Sequence, residues 1–177
     1  HDPAYLQAQD DKKIDDPEIS DETVRLTAFY TQSLGVPAQR NKDNSDVKAG
    51  EKLFHLIGCN SCHKSSVLTG MHPEFSFLSN QKIKPYTDLL LHDMGQDLAD
   101  MRPDNNANGF EWRTPPLWGI GLTEVVGGHS NFLHDGRARN IEEAILWHGG
   151  EGLKSKEKYT QLSKSDRQKL ISFLRSL

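Results

Sequence analysis

Cys59-Asn60-Ser61-Cys62-His63 is the stretch on which the reading of this chain turns. It spells CxxCH, the spacing at which a c-type haem is attached. Two thiols three positions apart add to the two vinyl groups of one porphyrin, and the histidine after the second cysteine is placed to bind the iron. These are the two cysteines of a 177-residue chain, so no other thiol competes for the chemistry. A local disulfide, a Cys/Cys/His zinc corner and a thioredoxin-like redox pair draw on the same residues, and each lacks its companion. Zinc needs a fourth ligand at a matching knuckle, and the redox pair needs a βαβ context that the sequence does not carry. The expected cofactor is one covalent haem c with its iron, linked through Cys59 and Cys62, with His63 as the proximal ligand.

Composition agrees with a cofactor-built interior. Hydrophobic residues make up 35 % of the chain, lean for a core of this size, and a large flat apolar group would supply part of the missing interior. At 26 % charged, and with no run near the roughly 20 apolar residues that span a bilayer, no transmembrane segment is expected. A net charge of −4 offers no basic footprint for nucleic acid. The chain starts at His1 without an initiator Met or a leader, and is read as a mature form or a piece of a longer protein. Haem attachment to thiols uses a maturation machinery that in bacteria works outside the inner membrane, so a periplasmic or otherwise exported location is expected.

Two parts are expected, an N-terminal arm and helix over residues 1–45 and a haem domain over 46–177. Residues 1–20 are polar and acidic without period and read as an extended arm. Ser20 is placed to cap a helix bearing Leu26, Phe29, Tyr30 and Ser33 on one face, ended by Gly35 and Pro37. Asp46 is the expected cap of a second helix, in which Val47, Gly50, Leu53, Phe54 and Ile57 share a face and Gly58 stops the run before Cys59. Gly50 inside a helix costs about 1 kcal/mol relative to Ala, which points to another backbone packed close by. Its expected partner is the C-terminal segment, where Ser163 and Asp166 form an approximate capping box ahead of Leu170, Phe173, Leu174 and Leu177. Between these helices, residues 64–85, 102–109 and 114–128 read as long loops organised around the haem. The fold class expected is mainly α, a cytochrome c-like domain with long loops wrapped around one covalent haem.

The sixth coordination position separates electron transfer from catalysis. Of eight His and three Met, His148 is the strongest candidate. Asn140 caps a predicted helix with Glu143 three residues on, and Ile141, Ala144, Ile145 and His148 fall on one face. A His in the last helical turn also suits the macrodipole, and a core His is the plain alternative. Met94 is the competing ligand, since Met is a common partner of His in cytochromes c, although after Leu89, Leu90 and Leu91 it reads equally as packing in a buried segment. Met71, His72, His129, His134 and Met101 rank lower.

Three blocks, residues 86–100 (YTDLLLHDMGQDLAD), 111–121 (EWRTPPLWGIG) and 132–150 (FLHDGRARNIEEAILWHGG), resemble the C-terminal part of the bacterial di-haem CxxC family, the thiol or di-haem oxidoreductases related to di-haem cytochrome c peroxidases. The resemblance covers roughly residues 40–177. It implies a cytochrome c-like domain carrying the electron-transfer haem of a two-haem enzyme. Relatives follow an HxG turn with a helix ending in the distal ligand, which places His134-Asp135-Gly136 before a ligand at His148 and leaves Met94 to packing. The TPxL segment at Thr114 implies Arg113 and Trp118 near the haem edge, with Arg137 a second propionate partner. The family carries two CxxCH motifs and this chain has one, so catalytic activity does not carry over. The expected function is electron transfer through one bis-His haem, toward a redox partner protein or a second haem domain. A peroxidase-like or thiol-oxidising enzyme with a displaceable sixth ligand is the alternative, and a haem-based gas sensor a third class.

Overall fold

The computed structural model describes residues 19–177, so the expected extended arm lies outside the described residues except for its last two. The chain divides into two compact units, residues 1–36 and 37–177. In the first, helix α1 spans Asp21–Ser33. The Ser20 hydroxyl accepts the Thr23 N–H at 3.2 Å, as its capping role requires, and Asp21 and Glu22 sit at the positive end of the helix. Its apolar side chains Leu26, Phe29 and Tyr30 are exposed. The helix stops at Leu34, whose backbone is already extended, just before Gly35.

The second unit is built on two crossing helices, α2 (Ser45–Leu56) and α6 (Lys164–Ser176). The cap of α2 is Asn44 and not Asp46. Asn44 holds the extended backbone that a cap needs, and its Oδ1 accepts the Asp46 N–H at 2.8 Å and the Val47 N–H at 3.4 Å. Asp46 sits instead in the first turn, where its charge meets the helix dipole. At α6 the Ser163 hydroxyl accepts the Asp166 N–H at 3.1 Å and donates to the Asp166 carboxylate at 2.9 Å. Gly50 is where the helices touch, since a Cβ there would collide with the Lys169 carbonyl and lie 2.7 Å from the Phe173 Cβ.

Around that crossing lie Val47, Phe54 and Ile57 of the α2 segment, Leu170, Phe173, Leu174 and Leu177 at the C-terminus, and Tyr86 and Tyr159, all buried. Phe54 meets Phe173 edge-on with centroids 5.4 Å apart, and Tyr86 meets Phe173 at 5.9 Å. Each such side chain contributes on the order of 1.5–3 kcal/mol by leaving water, which anchors the end of α2 that leads into the CxxCH motif.

The region between holds two antiparallel pairs, β1 (Val67–Leu68) with β2 (Lys82–Ile83) and β3 (Leu91–Asp93) with β4 (Glu111–Arg113). Strands of two or three residues are too short to carry a readable period, so this stretch looks like loop in sequence. Leu89, Leu90 and Leu91 do not form the start of a buried segment; all three are exposed. Short helices α3 (Thr123–Gly127), α4 (Ile141–Trp147) and α5 (Leu153–Gln161) complete a mainly α fold. No described helix is long and apolar enough to cross a membrane.

Candidate haem site

Gly58 ends α2 in the left-handed region at φ +93, a conformation that L side chains rarely adopt, and one tight turn over Cys59–Ser61 follows. The His63 N–H donates to the Cys59 carbonyl at 3.0 Å, which folds the motif into a compact unit. The His63 ring lies 6.4 Å from that of Phe54, and its Nδ1 bonds the Tyr86 carbonyl at 2.9 Å. A carbonyl accepts only, so Nδ1 carries the proton and Nε2 keeps its lone pair for a metal. Burial pushes the His63 pKa down to about 4, against the smaller opposing pull of the Tyr86 carbonyl, so the ring is neutral at neutral pH.

His148 is prepared in the same way. The Asn140 side chain caps α4 by accepting the Glu143 N–H at 2.8 Å, as the sequence predicts. The Glu143 carboxylate turns instead to Arg139, 2.9 Å from both its N–H and its Nε. The helix ends at Trp147, so His148 is the residue after the last turn, with extended backbone. Its Nδ1 bonds the open Ala144 carbonyl at 2.8 Å, which again leaves Nε2 for a ligand. Burial lowers its pKa, so the ring is neutral and serves the helix end as a hydrogen-bond donor, not as a cation paired with the dipole.

The two rings stand with centroids 6.5 Å apart and planes at 50°. An imidazole on each side of one metal, at a metal–nitrogen bond of roughly 2 Å, sets ring centroids about 6 Å apart. Rings in direct packing reach the same spacing, as Phe54 and His63 do at 6.4 Å and 53°, so the distance admits an iron and the free ring nitrogens carry the fit. The spacing is compatible with an iron that both histidines would hold. The donor chemistry fits as well, with two neutral imidazoles each oriented by a backbone carbonyl.

The competing uses of the motif fit less well. Burial pushes the Cys59 thiol up to about 12. Burial, then the Asp88 and Glu151 charges, raises the Cys62 thiol. Redox-active cysteines sit in electropositive surroundings that lower the thiol pKa, the reverse of this site. Among the described residues, Cys62, Asp88 and His92 bring ligand atoms within 4.8 Å of one another. Both nitrogens of His92 are already bonded to carboxylates, Nδ1 to Glu151 at 2.8 Å and Nε2 to Asp88 at 3.0 Å, so the ring has no lone pair to give a metal.

Of the other residues singled out in sequence, Arg113 is exposed on β4 opposite Leu91, and Trp118 is half-buried beside the buried Leu117. The Arg137 Nε bonds Asp135 at 2.6 Å, its Nη1 bonds the Asp97 carbonyl, and its guanidinium lies 4.9 Å over the Trp147 ring. Met94 is half-buried, and its methyl lies near Gly152, close to where the His148 ring passes. His72 accepts the Glu74 and Phe75 N–H groups, His134 stacks on Trp112 at 3.5 Å, and Met71 and Met101 are exposed. The Trp112 indole N–H is buried without a hydrogen-bond partner. Sequence reading missed His92, Glu151 and the Tyr86 carbonyl. The one local signal was the run His148-Gly149-Gly150-Glu151, two glycines between a candidate ligand and an acid.

The sequence matches the family described as "Di-haem oxidoreductase, putative peroxidase" over residues 5–177. No curated protein and no solved structure matches it.

Proposed function

The chain belongs to the di-haem oxidoreductase family, and from that premise we propose that residues 37–177 carry one covalent haem and pass electrons through it. Cys59 and Cys62 are the thioether links, His63 the proximal ligand and His148 the distal one. What supports this reading most is that two buried imidazoles, 6.5 Å apart, each spend Nδ1 on a backbone carbonyl and leave Nε2 free. The haem supplies a one-electron iron couple. The chain's own part is to hold both imidazoles neutral and aimed, through the Tyr86 and Ala144 carbonyls, so that little rearranges when the charge changes. Two imidazoles favour the ferric state more than a His/Met pair does, so the potential is the lower of the two arrangements. With one CxxCH in this chain, the partner is a second haem domain or a separate redox protein, in an exported setting.

Absorption and magnetic spectra of the purified holoprotein test the assignment. A low-spin ferric spectrum is expected, turning high-spin in His148→Ala. If His148→Ala stays low-spin, the distal assignment fails. The family description favours one second reading, a peroxidase. Peroxide turnover by this chain alone, with a high-spin ferric resting state, would support it.

A further inference from the structure

Because α4 stops at Trp147, the backbone of His148 is not carried by a continuing helix, and something else must aim its ring. The segment after it is pressed onto strand β3 and the turn that follows. A Cβ on Gly149 would lie 2.6 Å from the Met94 carbonyl, and one on Gly150 would collide with the Asp93 carbonyl. Glu151 then closes the contact. One carboxylate oxygen accepts the Asp93 N–H at 3.0 Å and the other accepts from the His92 Nδ1 at 2.8 Å. The same imidazole donates from Nε2 to Asp88 at 3.0 Å, and Asp88 is pinned to its own loop by the Leu90 N–H at 3.0 Å. The side chains of His92 and Asp88 are 14 % and 9 % exposed, so the bond between them is shielded from water, whereas Glu151 reaches in from the surface with its side chain 55 % exposed.

The two ends of this chain of bonds matter. Asp88 lies two residues beyond Tyr86, whose carbonyl orients His63, and Glu151 lies three residues beyond His148. We propose that Asp88, His92 and Glu151 form a latch that sets the separation of the two axial histidines and keeps His148 on the iron. This rests on the bis-His reading above. Glu151 and His92 are positioning residues, acting through His148 and touching no reacting atom. Both hydrogen bonds of Glu151 are charge-assisted or made to a fixed strand, so losing them frees the segment that carries the distal ligand.

The test compares Glu151→Ala, Glu151→Gln and His92→Leu holoproteins with wild type, reading the ferric spin state, the midpoint potential and carbon monoxide association with the reduced form. Covalent haem content, measured alongside, shows that each protein is loaded. Glu151→Ala is expected to show a high-spin fraction and carbon monoxide association about tenfold faster, as the His148-ligated fraction falls. Glu151→Gln keeps the bond from Asp93 and loses the one from His92, so it falls between. His92→Leu breaks the latch from the other side and matches Glu151→Ala, which covers failure of either protein to accumulate. Asp166→Asn, which removes the partly exposed Lys169 ion pair in the first turn of α6, should leave the association rate at the wild-type value. Wild-type spin state and association rate in Glu151→Ala or His92→Leu overturn the latch. If His148→Ala turns high-spin in that case, the bis-His reading stands and the latch alone has failed; if it stays low-spin, both fall.

Discussion

Gly50 of α2 lies against the main-chain carbonyl of Lys169 in α6, with no room for a single methyl group between them. The closeness of the helix crossing depends on this contact, and with it the packing of Phe54 on Phe173 at 5.4 Å. Gly50→Ala gains about 1 kcal/mol of helix propensity and loses more by forcing the helices apart, since overpacking costs about 1–3 kcal/mol or above where backbone is the obstacle. Thermal denaturation is expected to show a midpoint lowered by several degrees. A raised midpoint would mean that the helices do not touch there.

The two candidate caps of α2 separate cleanly by mutation. Asn44→Ala removes the acceptor of two N–H bonds and should cost about 1 kcal/mol. Asp46→Ala removes only a charge near the helix end, worth roughly 0.5 kcal/mol at low ionic strength. Denaturant titration of both variants ranks them, and an Asp46 variant that loses more would return the cap to the position expected from sequence.

Covalent attachment is the simplest consequence of CxxCH. Acid-acetone extraction should leave haem on the wild-type polypeptide and remove it completely from the Cys59→Ala/Cys62→Ala protein. Haem that leaves the wild-type chain under the same treatment would refute the thioether assignment.

Acid stability follows from paired carboxylates away from the haem site. The Lys169 ammonium, then the Ser163 hydroxyl, holds the Asp166 carboxyl below its ordinary value, and the Arg139 guanidinium does the same for Glu143. Groups depressed on folding favour the folded state at pH values above their unfolded pKa, and that contribution is lost as pH falls through the folded value. Their contribution should be lost below about pH 4. It comes on top of a fall that begins at about pH 6.5, as the unfolded chain protonates the histidines that are buried neutral in the fold, His63 and His148. The acid limb should be less steep in Asp166→Asn and in high salt. A midpoint in Asp166→Asn with the full wild-type acid dependence would show that this pair contributes nothing.

Much of the helical frame was legible because its signals are local. Ser20, Ser163 and Asn140 act as caps within three residues of the groups they bind. The apolar residues of α2 and α6 repeat at helical spacing, and Gly50 marked the crossing by being the wrong residue for a helix interior. The four strands were not legible, since two or three residues carry no alternation. Nor was the bond from His92 to Glu151, between residues 59 positions apart.

The sequence by itself determined the motif, the candidate for its first ligand, the helices on either side and the family, because each rests on residue types at short fixed spacing. Only the tertiary structure decided that His148 stands 6.5 Å from His63, that both rings keep Nε2 free through backbone carbonyls, and that His92 is committed to two carboxylates. These are distances and directions between segments far apart in the chain. They are set by how α2 and α6 pack and by where the short sheet holds the loops, quantities that no local spacing encodes.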